Sequence, residues 1–190
     1  MIAVMRKRTF IVVAAAIFEL AGLIGFLAPP NGRDAMASAQ PVWREVSWPF
    51  PMDQWGTGTA FQCAAADCGT EVSVYLRAKI GFCNCTTGMA GDADLDRVGD
   101  FDLFGGALYP QAAGQPVKAG SMNGRSRPFA IRTALYGDAT IISIGLHESC
   151  DALVATAVLE RGKLAAVEPA VRDFLNSKTM LEWTQAALGL

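Results

Sequence analysis

Histidine is nearly missing from this chain: His147 is the only one among 190 residues. Any zinc or copper centre built on several imidazoles is therefore excluded, as is any site that needs two of them. Charge is also sparse. Asp, Glu, Lys and Arg make up 18% of the chain, against the usual ~25%, and the net charge is −2. So weak a field does not hold nucleic acid by a broad positive surface, and 52% hydrophobic residues exclude a disordered charged tail. There is no internal repeat, no collagen period and only one long apolar run, so the chain is not a polytopic membrane protein. G-x-S-x-G, H-E-x-x-H, G-x-G-x-x-G and C-x2-C-H are all absent. With them go the usual signatures of serine-elbow hydrolases, zinc proteases, dinucleotide binding and covalent haem attachment.

The one apolar run carries an address. Arg6, Lys7 and Arg8 precede Thr9–Ala28, an apolar stretch interrupted by Glu19 alone and stopped by Pro29 and Pro30. At ~1.5 Å per residue its length matches the ~30 Å hydrocarbon core of a bilayer. Basic residues at its front keep that end in the cytoplasm, so the chain beyond Pro30 is expected to be exported. Residues 1–28 read as a signal peptide or a signal-anchor helix, and 29–40 as a tether or cleavage region. Ala37-Ser38-Ala39 is an A-x-A site whose cleavage would leave a soluble periplasmic protein. Against cleavage, the block is longer than the ~7–15 residues of an ordinary signal core, which favours an anchor facing the periplasm. Residues 1–39 hold four of the 16 basic and two of the 18 acidic side chains, so the remainder has a net charge of −4.

Residues 41–190 are expected to form a single exported α+β domain. Its architecture is read as an antiparallel sheet of about five to six strands with a C-terminal helix packed on one face. Alternation in Val72, Val74 and Leu76 marks a strand over 70–83, with a short partner at 59–63. Phe129–Leu135 and Thr140–Leu146 read as a hairpin, and Leu153–Leu159 as a further strand. Val167, Val171, Phe174 and Leu175 fall at helical spacing in the stretch from Ala165 to Leu188, with a break indicated at Asn176-Ser177. Upstream, Trp43, Trp48 and Trp55 stand among Pro41, Pro49 and Pro51, which prevent a helix. Such a segment is an edge strand or strap across the core, or a docking arm with the three tryptophans as partner-binding candidates.

The cysteines carry the sharpest chemistry. Cys63, Cys68, Cys83, Cys85 and Cys150 are spaced C-x4-C, then C-x-C, then a distant single residue. In an exported domain disulfides are the default. The simplest pairing joins Cys63 to Cys68 and one of Cys83 or Cys85 to Cys150; the alternative pairs the two clusters with each other. An odd number leaves one thiol over. A competing reading makes Cys63, Cys68, Cys83 and Cys85 ligands for Zn or Cu(I), although a zinc ribbon uses C-x2-C pairs and neither pair here has that spacing. Thiol exchange is a further possibility, without the C-x2-C at a helix N-terminus that lowers a thiol pKa.

Three other features bear on function. His147 lies three residues before Cys150, which admits a catalytic Cys–His pair. Asp92-Ala93-Asp94-Leu95-Asp96 opens like a calcium loop but holds Arg97 and Leu103 where glycine and glutamate are needed. Gly120–Arg127 combines turn residues with Arg125 and Arg127, as an anion loop or a surface turn would. The expectation that emerges is a non-catalytic envelope protein of binding or accessory type, without cofactor or nucleic acid. Its contacts would be the membrane, through the N-terminal helix, and an envelope protein such as a membrane complex. The alternatives are metal handling or thiol redox at the cysteine cluster.

Overall fold

The computed structural model describes residues 41–82, 84–133, 137–159 and 162–190. The N-terminal block over 1–28, the tether to residue 40 with its A-x-A site, and Cys83 lie outside the described residues. Eight strands form one antiparallel sheet: β1 (Trp43–Val46), β2 (Thr59–Cys63), β3 (Val72–Lys79), β4 (Ala107–Pro110), β5 (Gln115–Ala119), β6 (Met122–Thr133), β7 (Gly137–Glu148) and β8 (Asp151–Leu159). The helices are α1 (Ala65–Cys68), α2 (Asp92–Val98), α3 (Leu164–Leu175) and α4 (Lys178–Leu188), with a 3-10 turn at Phe101–Phe104. None of them is long and apolar enough to cross a membrane.

The strand order is β1-β2-β3-β8-β7-β6-β4, with β5 also paired to β6. Two meanders therefore meet at a β3–β8 seam, where Val72 faces Leu159 and Lys79 faces Ala152. The sheet is wider than the five to six strands read from the sequence. The difference lies in β4, β5 and the first half of β6, and the Gly, Asn, Ser and Arg of that half read as turn. Pairing overrides that propensity. Gly124 is needed there, because a Cβ would overlap the Gly145 carbonyl on β7. Pro128 is tolerated for a related reason. β5 pairs with β6 as far as Ser126 and β4 resumes at Phe129, so Pro128 sits at the gap between them. Its carbonyl accepts from Gln111 on that outer side, so its missing N–H falls at the gap.

Both faces of the sheet are covered. Alternation sends Val74, Leu76, Ile142, Ile144 and Leu153 to one face, where Val167, Val171, Phe174 and Met180 of α3 and α4 pack on them. The C-terminal cover is thus two helices. Ser177 ends the break between them by accepting the Met180 N–H, and Asn176 accepts from Gly120 at the β5–β6 turn. The other face carries Tyr75, Ile141, Val158 and Phe129 under Phe50 and Phe104, and Val154 under Leu95 and Val98. Residues 47–56 and the segment from 84 to 104 supply that second cover. A sheet covered on both sides is buried throughout β3, β7 and β8, so their alternation does not separate core from solvent.

Two disulfides are present among the described residues. Cys63–Cys68 closes α1, and Cys85–Cys150 ties the segment after β3 to the β7–β8 turn over a sequence separation of 65. On the chain-entropy model the long bridge contributes ~4 kcal/mol and the short one ~2 kcal/mol. Cys150→Ala is expected to lower the urea unfolding free energy by about twice as much as Cys68→Ala. Equal losses would show that loop length does not set the contribution of these bridges.

Candidate functional site

The second cover is pinned by charge. Arg77 and Lys79 occupy β3 positions that face it, two and four residues beyond Tyr75, and are only 2% and 4% exposed. Asp100, at the start of the 3-10 turn and 7% exposed, lies 3.2 Å from Arg77 Nη2 and 2.8 Å from Lys79 Nζ. Lys79 also donates to the Val98 carbonyl at 2.7 Å. From the other side Asp53 accepts a hydrogen bond from Arg77 Nη1 at 2.5 Å, with its own side chain 41% exposed.

Aromatic rings complete the enclosure. The Trp48 ring centroid is 5.5 Å from the Arg77 guanidinium, and Trp55 and Phe82 lie 5.4 and 5.3 Å from the Lys79 ammonium. Trp55 meets Phe82 edge-on at 4.7 Å. A cavity of about 60 Å³ is lined by Asp53, Gln54, Trp55, Arg77, Lys79 and Asp100, with Asp102 and Leu103 at its side. Arg77 Nε and Trp48 Nε1 are buried without a hydrogen-bond partner. Unpartnered buried donors carry a desolvation cost.

Asp53 is the most exposed member of the cluster. It sits in a tight turn closed by the Gly56 N–H to its carbonyl at 2.9 Å, and its carboxylate accepts the Trp55 N–H at 2.8 Å. The hydrogen bond from Arg77 holds its pKa below the ordinary carboxylate value, aided by Trp55 and opposed by partial burial. A carboxylate with a lowered folded-state pKa stabilises fully above its unfolded value of ~4. That contribution is lost as pH falls through the lower folded value.

The remaining residues singled out from the sequence are placed elsewhere. Trp43 is on the helix-covered face, stacked on Phe174 at 4.5 Å. Trp48 and Trp55 thus belong to the cation cluster and Trp43 to the helix-covered face. Cys63, Cys68 and Cys85 are in disulfides, so their sulfurs are not thiolate ligands in this state. Cys150 is likewise bonded, which removes the nucleophile from the His147–Cys150 reading. The His147 ring instead fills the space beside Gly88, where a Cβ would overlap it.

The acidic segment and the arginine loop turn out to be partners. Arg125 Nε donates to Asp92 at 2.8 Å and Arg127 Nη1 to Asp96 at 2.8 Å, and Asp94 caps the Gly91 N–H. The Gly114 N–H and then Arg125 hold the Asp92 pKa below its ordinary value. Neither the calcium reading nor the anion-loop reading survives, since each side's charge is satisfied by the other. Asn84 accepts from the Thr86 and Thr87 N–H groups, so its carboxamide shapes the loop.

Sequence reasoning missed Arg77, Lys79, Asp53 and Asp100. The available signal was Arg77 and Lys79 in phase with Tyr75 on a strand whose other face is wholly apolar. No protein-family model, curated protein or solved structure matches this chain. The functional reading therefore rests on the site's own chemistry.

Asp100→Asn leaves two buried cations without their shared anion, and the expected loss is about 3–5 kcal/mol in denaturant unfolding. Asp138→Asn, which breaks the exposed Arg132–Asp138 pair, is expected to change nothing measurable. Equal effects in the two variants would remove the special status of the buried cluster.

Proposed function

We propose that this chain is a non-catalytic binding or accessory protein of the cell envelope, exported by residues 1–28 and acting as the partner of a membrane complex. The observation that carries the reading is the pair of intramolecular disulfides, Cys63–Cys68 and Cys85–Cys150, since such bonds persist in oxidising compartments. The basic-then-apolar N-terminus supports the same address. It delivers the domain to the periplasmic side, anchored by the apolar block or released at Ala39.

The binding role draws on how the site's groups are used. Arg77 and Lys79 are held by carboxylates and aromatic rings, an arrangement suited to recognising charge. The Cys–His pairing that catalysis would need has its sulfur in a bridge. Metal handling or thiol redox at Cys63, Cys68, Cys83 and Cys85 remains the competing function, and it requires those sulfurs reduced.

The test is an intact mass of protein isolated from its own envelope and alkylated without reductant. Four cysteines protected in two disulfides, one alkylated thiol and no bound metal are expected. The same mass shows whether residues 1–39 are retained. Four or five alkylated thiols with zinc or copper bound would overturn the proposal and move the function into the cysteine cluster.

A further inference from the structure

The charge balance of the buried cluster is uneven. Arg77, Lys79 and Asp100 together carry one net positive charge, and all three are more than nine-tenths buried. Only Asp53 of the strap neutralises it, and Asp53 is the one member with substantial exposure. The turn that carries Asp53 is an exposed part of the second cover. Pro51, Met52, Asp53, Gln54 and Thr57 are exposed, with Met52 at 76%. Either side of it the chain is fixed. Phe50 is buried against Tyr75 and Phe104, and a Cβ at Gly58 would overlap the Leu76 carbonyl. Between these points the turn is held by the Asp53–Arg77 contact and by Trp55 against Phe82. Segments with few buried contacts open locally at far lower cost than the core.

We propose that residues 51–57 form a displaceable flap, and that the cavity beneath it takes a single carboxylate onto Arg77 in place of Asp53. The cavity, at about 60 Å³, has room for roughly two waters, or for a carboxylate and its first methylene. Arg77 presents a planar fork suited to a carboxylate, and its Nε is a buried donor left over by the present partners. Trp55 and Leu103 line the cavity and supply apolar walls for the carbon attached to that carboxylate. Asp102 at the rim and Asp100 in the floor oppose a second negative charge, so the site selects a monoanion over a phosphate dianion. Asp53 is thus an internal stand-in for the ligand. The proposal deepens the binding reading above and rests on it for a use in the envelope, while its geometry stands on the cluster alone.

A carboxylate of this kind comes from a small organic acid or from an acidic, aromatic polypeptide segment. The experiment separates the two. The oxidised full chain, wild type and Asp53→Asn, is titrated with sodium acetate at constant ionic strength and followed by tryptophan fluorescence. A parallel arm uses the peptide SWPFPMDQWG, the sequence of the strap itself, and another uses phosphate. Both proteins are expected to respond saturably to acetate, Asp53→Asn at about tenfold lower concentration because its internal competitor is gone, and neither to phosphate. A peptide that binds more tightly than acetate supports a polypeptide ligand; acetate binding without peptide binding supports a small acid. Arg77→Gln is expected to abolish both responses. Where Arg77→Gln does not fold, the comparison of wild type with Asp53→Asn decides.

The proposal is overturned if Asp53→Asn binds acetate but the wild type does not respond up to about 100 mM, which would make Asp53 a fixed counter-ion. It is equally overturned if neither protein responds, or if a folded Arg77→Gln responds as the wild type does. A failed titration on protein with both disulfides intact removes the carboxylate site and leaves the envelope reading standing. Reduced, metal-bound protein removes that reading and leaves the titration to be judged separately.

Discussion

The second cover of the sheet depends on the pairing of two buried cations. Arg77 and Lys79 face a layer that excludes water, and each isolated charge there would cost several kcal/mol. Asp100 answers both from the 3-10 segment and Asp53 answers Arg77 from the strap. Two segments far apart in sequence are thereby brought against the same stretch of β3. Stability alone does not explain the choice, because replacing a buried ion pair by well-packed apolar residues is often neutral or stabilising. The charges bring two carboxylates from separate segments onto the same stretch of β3, and one of those carboxylates reaches solvent.

The helix-covered face was legible because its signals are apolar and periodic. Val72, Val74 and Leu76 alternate, and Val167, Val171, Phe174 and Leu175 repeat at helical spacing. The Asn176-Ser177 break is visible because serine there is an N-cap. The opposite face was not legible. Its cover comes from a proline-rich strap and from a segment with little periodicity, so nothing in the pattern announces a third layer. Without that layer Arg77 reads as the solvent side of a half-buried strand. The first half of β6 was hidden for a different reason: Gly124 and Pro128 look like turn residues, yet one permits a close approach to β7 and the other sits at the gap between β4 and β5. Likewise the aspartates of α2 and the arginines of β6 look in the sequence like separate ligand sites. Only the fold brings them together as mutual counter-ions.

The two disulfides act on different parts of this construction. Cys63–Cys68 closes the β2–β3 connection locally. Cys85–Cys150 fastens the start of the second cover to the β7–β8 turn, so the segment that brings Asp100 to the cations is tied at one end. The strap has no such tie. Its anchors are the Phe50 side chain and the close passage of Gly58, with the exposed turn between them. One side of the cation cluster is therefore secured covalently nearby and the other by noncovalent contacts alone. This asymmetry is what a binding site with a fixed floor and a releasable roof requires.

The most direct measurement is hydrogen–deuterium exchange on the oxidised full chain, resolved to the strap and to β3. A releasable roof predicts that the amides of Trp55 and Gly56 exchange through a low-cost local opening. The amides of β3 and β8 would exchange only through global unfolding. Equal protection of the strap turn and of β3 would contradict the account, since the strap would then be as fixed as the sheet it covers.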